Sequence, residues 1–192
     1  MAARNKAGAA GIARRHGLPG LAFSALLALP LAAIGEATTI ESGGRSVTFS
    51  EDVPREHTGY DSAWHYAHAV RAGDFVYISG VIIGAGPDDS LPLSTERFRE
   101  ETERVFATIE RFLATADASL ADVVKINTFH VLDGRASSLG IDQQALVIAG
   151  VRDRYVVEPY SAWTAVGTTG LFSPRGIVEI EMIAYAPAGH DN

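Results

Sequence analysis

From Tyr66 onward, apolar and polar positions fall into blocks of two different periods, and these blocks predict the elements. Tyr66-Ala67-His68-Ala69-Val70 and Phe75-Val76-Tyr77-Ile78-Ser79 flank Ala72-Gly73-Asp74, the pattern of a hairpin whose glycine supplies the turn. The second run is apolar at almost every position, as in a strand covered on both faces. Gly84 to Pro92 reads as a loop. Ser94 is placed to cap a helix that carries Glu96 in its first turn. Beyond it Phe98, Val105, Phe106, Ile109, Phe112, Leu113 and Ala116 recur at helical spacing, with Glu and Arg filling the other side. This predicts a long amphipathic helix lying on a sheet. Ser119-Leu120-Ala121-Asp122 ends that pattern. A strand follows over Val123 to Val131, a second helix over Ile141 to Tyr155, then strands over Ala162 to Val166 and Ile177 to Ala184. The last of these alternates apolar with acidic residues, so one of its faces is wetter.

Upstream, Thr38 to Ser62 is polar and holds Gly43-Gly44, Pro54 and Gly59, so a short strand over Ser46 to Phe49 is set in otherwise irregular chain. The element order is strand pair, helix, strand, helix, strand pair. It predicts an α+β domain, one mixed sheet with two helices packed on a single face. The second face needs cover too. Val76, Ile78, Val124 and Val166 are expected there, buried against neighbouring subunits, because large exposed apolar patches are uncommon on monomers. No internal repeat and no second domain are visible.

The first residues differ in kind. Arg4, Lys6, Arg14 and Arg15 form a basic opening, followed by an uncharged run from Gly17 to Gly35 with the apolar core Leu21 to Leu29. Small residues at Ala33, Gly35 and Ala37 offer cleavage points, which completes the pattern of a secretory signal peptide over residues 1–37. The alternative is a retained membrane anchor, weakened by Pro19, Gly20 and Pro30. The expected organisation is therefore signal 1–37, N-terminal segment 38–62, main domain 63–187 and tail 188–192, in an exported protein, periplasmic or secreted. A membrane is a partner only if the first segment is retained.

Charge and cysteine content narrow the function. The chain carries a formal charge of −7, and without residues 1–37 it loses four bases and one acid, leaving −10. Nucleic-acid binders gain affinity by neutralising phosphates with Lys and Arg, so nucleic acid is not an expected partner. The chain has no cysteine, which removes thiol nucleophiles, redox pairs and thiolate metal sites together. An exported domain without disulfides must bury a real core or assemble into an oligomer.

Several segments together resemble the RidA/YjgF family. They are Ala69 to Asp74 leading into Ile78-Ser79-Gly80; Ser119 to Lys125; Pro159 followed by Ala162 to Val166; and Val178-Glu179-Ile180-Glu181-Met182-Ile183-Ala184. The resemblance implies a chorismate-mutase-like homotrimer whose sheets form a central barrel, with ligand clefts between subunits and no cofactor. Catalytic members are imine and enamine deaminases, hydrolases acting on C=N, that grip a substrate carboxylate with one arginine. In that pattern Tyr66 is a cleft tyrosine, Ser79 and Gly80 line the cleft, and Glu179 positions the attacking water. Pro159-Tyr160-Ser161 departs from it, because Ser161 stands where the arginine is expected. Trp163 is large where many relatives have a small residue, and it narrows the cleft; Tyr160 joins it as an aromatic wall or as interface packing.

The expectation is an exported RidA-like protein that binds a small, mostly apolar or uncharged metabolite, with deaminase activity lost or altered. One alternative is an active deaminase on a non-standard imine, the missing cation supplied by Arg154 or Arg175. Another is a structural or chaperone-like trimer. Other candidates have plainer readings. Glu179 and Glu181 share one face of a strand and could simply be the wet face of an edge strand. His65 and His68 lie three apart at a strand entry, a spacing that sends the rings to opposite faces, so no metal is expected. His130 reads as a core or interface histidine. Gly84-Ala85-Gly86 is followed by Asp88-Asp89, which opposes phosphate and leaves a loop.

Overall fold

The computed structural model describes residues 37–132, 135–156 and 158–188. The expected signal segment, apart from Ala37, and the end of the tail lie outside the described residues. Seven strands, β1 (Thr38–Ser42), β2 (Arg45–Phe49), β3 (Ala69–Ala72), β4 (Phe75–Gly84), β5 (Val123–Val131), β6 (Ala162–Thr168) and β7 (Gly176–Tyr185), form one mixed sheet in the order β1-β2-β3-β4-β7-β5-β6. Helices α1 (Thr95–Ala114) and α2 (Ile141–Arg152) complete the domain. The α+β class with its mixed sheet is as the sequence predicts. β5 and β6 run parallel while the other pairings are antiparallel.

α1 starts where its cap dictates: the Ser94 hydroxyl accepts from the Arg97 backbone N–H at 3.1 Å. Its apolar stripe, Phe98, Val105, Phe106, Ile109 and Leu113, is fully buried against the sheet. From the sheet Val76, Ile78 and Ile83 of β4 and Val178, Ile180 and Met182 of β7 meet it in one core, joined by Val147, Ile148 and Val151 of α2. α2 ends at Arg152 rather than Tyr155. Tyr155 is apolar in the right register, but it lies past the helix end and stacks on Phe106 at 5.8 Å.

Two further expectations change. Val76 and Ile78 belong to the helix-covered core, because the alternation of β4 sends them under α1 and leaves Phe75 and Tyr77 outward. Val124 and Val166 do face the other way and are 44% exposed each. The polar stretch before residue 62 holds not one strand but a hairpin, β1–β2, turning at Gly43 and Gly44 with φ of 58° and 74°. Both angles fall where only glycine sits without strain. Arg71 then locks the β3–β4 hairpin to the rest: its guanidinium donates to the carbonyls of Gly73, Ala116, Asp117 and Ala186.

Candidate functional site

The candidate residues separate into two groups on one protomer. The first lies along β4 and β7. Glu179 sits between Ile82 of β4 and Phe129 of β5, so an apolar residue flanks the carboxylate on each side. Its carboxylate lies directly over Gly80: a Cβ at that position would stand 1.8 Å from Oε1. The glycine is what gives the acid its place. Burial pushes the Glu179 pKa up from its ordinary value, and the Glu181 charge pushes it further the same way. No ion pair or hydrogen bond joins the Glu179 carboxylate to another described residue, whereas Glu181 accepts from Asn127 Nδ2 at 2.7 Å. β7 lies between β4 and β5, so these acids are on a central strand and not on an edge.

Ser79 extends this group. Its hydroxyl donates to the Ala67 carbonyl at 2.6 Å and its N–H to the His68 carbonyl, which ties the chain entering β3 to the middle of β4. Tyr66 is one residue from that tie, half exposed, with its ring over Gly59. Nearby, Trp64 and Phe172 meet edge to face at 5.0 Å, although they are 68% and 79% exposed. Neither was legible as a site residue, since a single aromatic in a loop has no periodicity to mark it.

The second group gathers at the start of β6. Ser161 donates its hydroxyl to the Val123 carbonyl at 2.5 Å, and it lines an open cleft of about 320 Å³ with Val124, Glu158, Pro159, Tyr160 and Tyr185. Trp163, paired with Ile126, faces the helix layer and donates from Nε1 to Thr128 Oγ1 at 3.0 Å. Thr128 also contacts His130 Nε2 at 2.8 Å, and His130 Nδ1 reaches Gln144 Oε1 at 2.9 Å. His130 is thus a core histidine, and burial lowers its pKa against the opposing effect of Gln144.

The two groups do not meet within one chain. Ser161 is level with Val124, and Glu179 is level with Phe129 two strands away. That is about 17 Å along the strands and about 10 Å across them, roughly 19 Å in all.

The other candidates are occupied elsewhere. Arg154 pairs with Glu103 of α1 at 2.6 Å. Arg175 donates to the carbonyls of Ala85, Gly86 and Asp89 and so holds the Gly84–Asp89 loop. The cation the sequence did not mark is Arg152. Its guanidinium lies 5.2 Å from the Trp163 ring centre and 6.0 Å from that of Tyr160. The two histidine rings part company: exposed His65 contacts the Tyr60 carbonyl, while His68 is buried against Thr115, Phe49 and Phe112.

A mixed sheet with two helices on one face and a cleft at the head of β6 defines the class. The particular family follows from comparison. The family model described as Endoribonuclease L-PSP matches residues 57–186, and the chain belongs to that family, the one of RidA and YjgF. The RutC family protein YjgH of Escherichia coli K12 is 28% identical over 123 residues, which is 64% of this chain and 83% of YjgH. The crystal structure of Rv2704 from Mycobacterium tuberculosis, of the YjgF/YER057c/UK114 family, aligns at 26% identity with a TM-score of 0.51. It covers 79% of this chain and all of that one. A YjgH structure aligns over 68% of this chain and 90% of its own, also at 26% identity and a TM-score of 0.51.

Proposed function

We propose that this chain is an exported homotrimer that binds a small metabolite in the clefts between subunits, with C=N hydrolysis lost or altered. The observation that carries the reading is the separation of the two residue groups together with the state of Ser161. Glu179 and Ser161, roughly 19 Å apart in one protomer, can serve one ligand only when supplied by different copies. The Ser161 hydroxyl is neutral and already donates to the Val123 carbonyl, so it brings no bidentate charge to a substrate carboxylate. RNA is outside this reading despite the wording of the family description, because the acids of the open face and the net charge of −7 oppose a polyanion.

The test is turnover of imines released by an amino acid oxidase, followed against their spontaneous decay. Wild-type protein is expected to add nothing, and Ser161→Arg to gain at least about tenfold, the worth of one charge-assisted contact. Clear acceleration by the wild type would overturn the loss of activity. A second reading, an active deaminase on a non-standard imine, draws on the first group: an unpaired Glu179 with a raised pKa is suited to handling a proton. Under that reading some imine without a carboxylate is turned over, and Glu179→Gln abolishes it. The mass of the mature protein from its native host tests export: removal of about 37 residues supports it, an intact N-terminus opposes it. A trimer that neither binds nor turns over any small molecule would instead favour the structural role.

A further inference from the structure

Two exposed aromatic side chains flank the first group and have no part in its proton handling. Trp64 and Phe172 come from loops far apart in the chain. They meet edge to face, with centroids 5.0 Å apart and planes at 79°, yet are 68% and 79% exposed. Their contact hides little of either ring, so the pair forms an open, right-angled corner rather than a piece of core. Both loops are anchored beside Glu179. Leu171, the neighbour of Phe172, lies close to Ile82: a Cβ at Gly176 would stand 3.0 Å from Ile82 Cγ2 and 3.1 Å from Leu171 Cδ1. Ile82 is in turn the cross-strand neighbour of Glu179 and shares its side of the sheet. Trp64 comes just before Ala67, whose carbonyl takes the Ser79 hydroxyl, and Ser79 precedes the glycine over which the Glu179 carboxylate lies. Tyr66, half exposed on Gly59, adds a third ring to this stretch.

We propose that the Trp64–Phe172 corner, with Tyr66 and Glu179, binds an organic monocation: an alkylated ammonium on a small apolar body. Ring faces carry negative charge density and attract an ammonium within about 6 Å of their centres. Rings set at a right angle can offer such a cation two surfaces at once. The charges beside them have the matching sign. Glu179 feels the Glu181 charge and has no cation partner among the described residues. Arg175, on the Phe172 loop, is turned away to the carbonyls of Ala85, Gly86 and Asp89. An alkylated ammonium is weakly hydrated, so it enters an apolar corner at a lower desolvation cost than a metal ion does. The ligand is thus still mostly apolar, as Ser161 leads one to expect, but carries a positive charge. The inference deepens the cleft reading and rests on it in one respect, that Glu179 faces a bound ligand.

The experiment is calorimetric titration of the full chain with three molecules of one shape and different charge: choline, 3,3-dimethyl-1-butanol and 3,3-dimethylbutanoate. Choline should bind about tenfold more tightly than the neutral alcohol, and the butanoate most weakly. Trp64→Leu and Phe172→Leu, both at exposed positions, should each remove most of the preference with the fold intact. Trp64→Phe keeps an aromatic face and should retain part of it. Glu179→Gln should weaken choline and leave the alcohol unchanged. A preference that survives both leucine substitutions comes from the net charge of the protein and overturns the proposal. Equal binding of choline and the alcohol also overturns it, and leaves the cleft reading standing. If none of the three binds, the proposal fails, and the imine assay with Ser161→Arg then decides the cleft reading separately. A ring-dependent preference for choline in a protein that sediments as a monomer keeps the inference and sinks the intersubunit cleft.

Discussion

Thr128→Val tests the buried chain that holds Trp163, and its effect can be worked out bond by bond. Gln144 Nε2 donates to the Leu139 carbonyl, so Gln144 Oε1 must accept, and His130 Nδ1 carries the proton. His130 Nε2 is then an acceptor and takes the Thr128 hydroxyl proton at 2.8 Å, while Thr128 Oγ1 accepts from Trp163 Nε1 at 3.0 Å. Valine matches threonine in shape, so no cavity opens at this fully buried position. What it removes is both partners at once: imidazole Nε2 and indole N–H are left unmatched. Each unsatisfied buried group costs about 1–3 kcal/mol, and Trp163 is only half-buried, so the total should be about 2–4 kcal/mol. Urea unfolding at pH 8, followed by far-ultraviolet circular dichroism, measures it. A loss below about 1 kcal/mol would mean that the chain of bonds contributes little and the indole is not held as described.

Other outcomes follow from the same geometry. Gly80→Ala should displace the Glu179 side chain from Cγ outward, because the new Cβ would stand 1.8 Å from Oε1, 2.7 Å from Cδ and 2.8 Å from Cγ; carbon-13 titration should then find the Glu179 pKa back toward 4.5, and an unchanged value would refute the contact. Stability against pH should show two slopes of opposite sign. His68 and His130 have pKa values held below 6.5 by burial, so their contribution is present above pH 6.5 and is lost as pH falls below it. The raised Glu179 pKa gives a contribution present below pH 4.5 and lost as pH rises through the folded value, and Glu179→Gln should remove that slope alone. Arg71→Ala should cost about 2–3 kcal/mol by freeing four carbonyls, and Arg71→Lys should recover only part, because an ammonium cannot span them; equal stability for lysine and arginine in thermal melts would count against the clamp.

How much of this was legible from the sequence depends on the kind of signal. α1 was, because its buried residues repeat at 3.6 and Ser94 is a local cap. The strands β4, β5 and β7 were, because their apolar runs are long. β1 was not: Thr38–Ser42 is a polar, largely exposed strand, and only its pairing with β2 makes it one. The side of the sheet taken by Val76 and Ile78 depends on strand parity relative to α1, which no single strand reveals. Insertion of β7 between β4 and β5, which moves Glu179 from an edge to the centre, is a matter of topology alone. Glu179, Ser79 and Gly80 could be grouped from their place in a resemblance. Arg152 could not, since its contacts with Trp163 and Tyr160 join a helix end to a strand and leave no spacing rule behind.

The distance between the two groups makes a prediction that neither group makes separately. Suppose a chain carries both Ser161→Arg and Glu179→Gln. It has the cation and lacks the acid, while the wild-type chain has the acid and lacks the cation. Each trimer alone should be inactive on amino-acid imines. Unfolded together at equal concentration and refolded, the chains assort at random, and under the proposed arrangement each cleft draws one wall from each of two neighbours. About a quarter of the clefts should then pair the new arginine with an intact Glu179, so the mixture should reach about a quarter of the activity of Ser161→Arg alone. A site contained within one protomer gives no recovery, because no single chain in the mixture holds both groups. If Ser161→Arg is active and the refolded mixture is silent, the two residues serve the reaction from the same chain, and their separation along the sheet must be bridged in some other way.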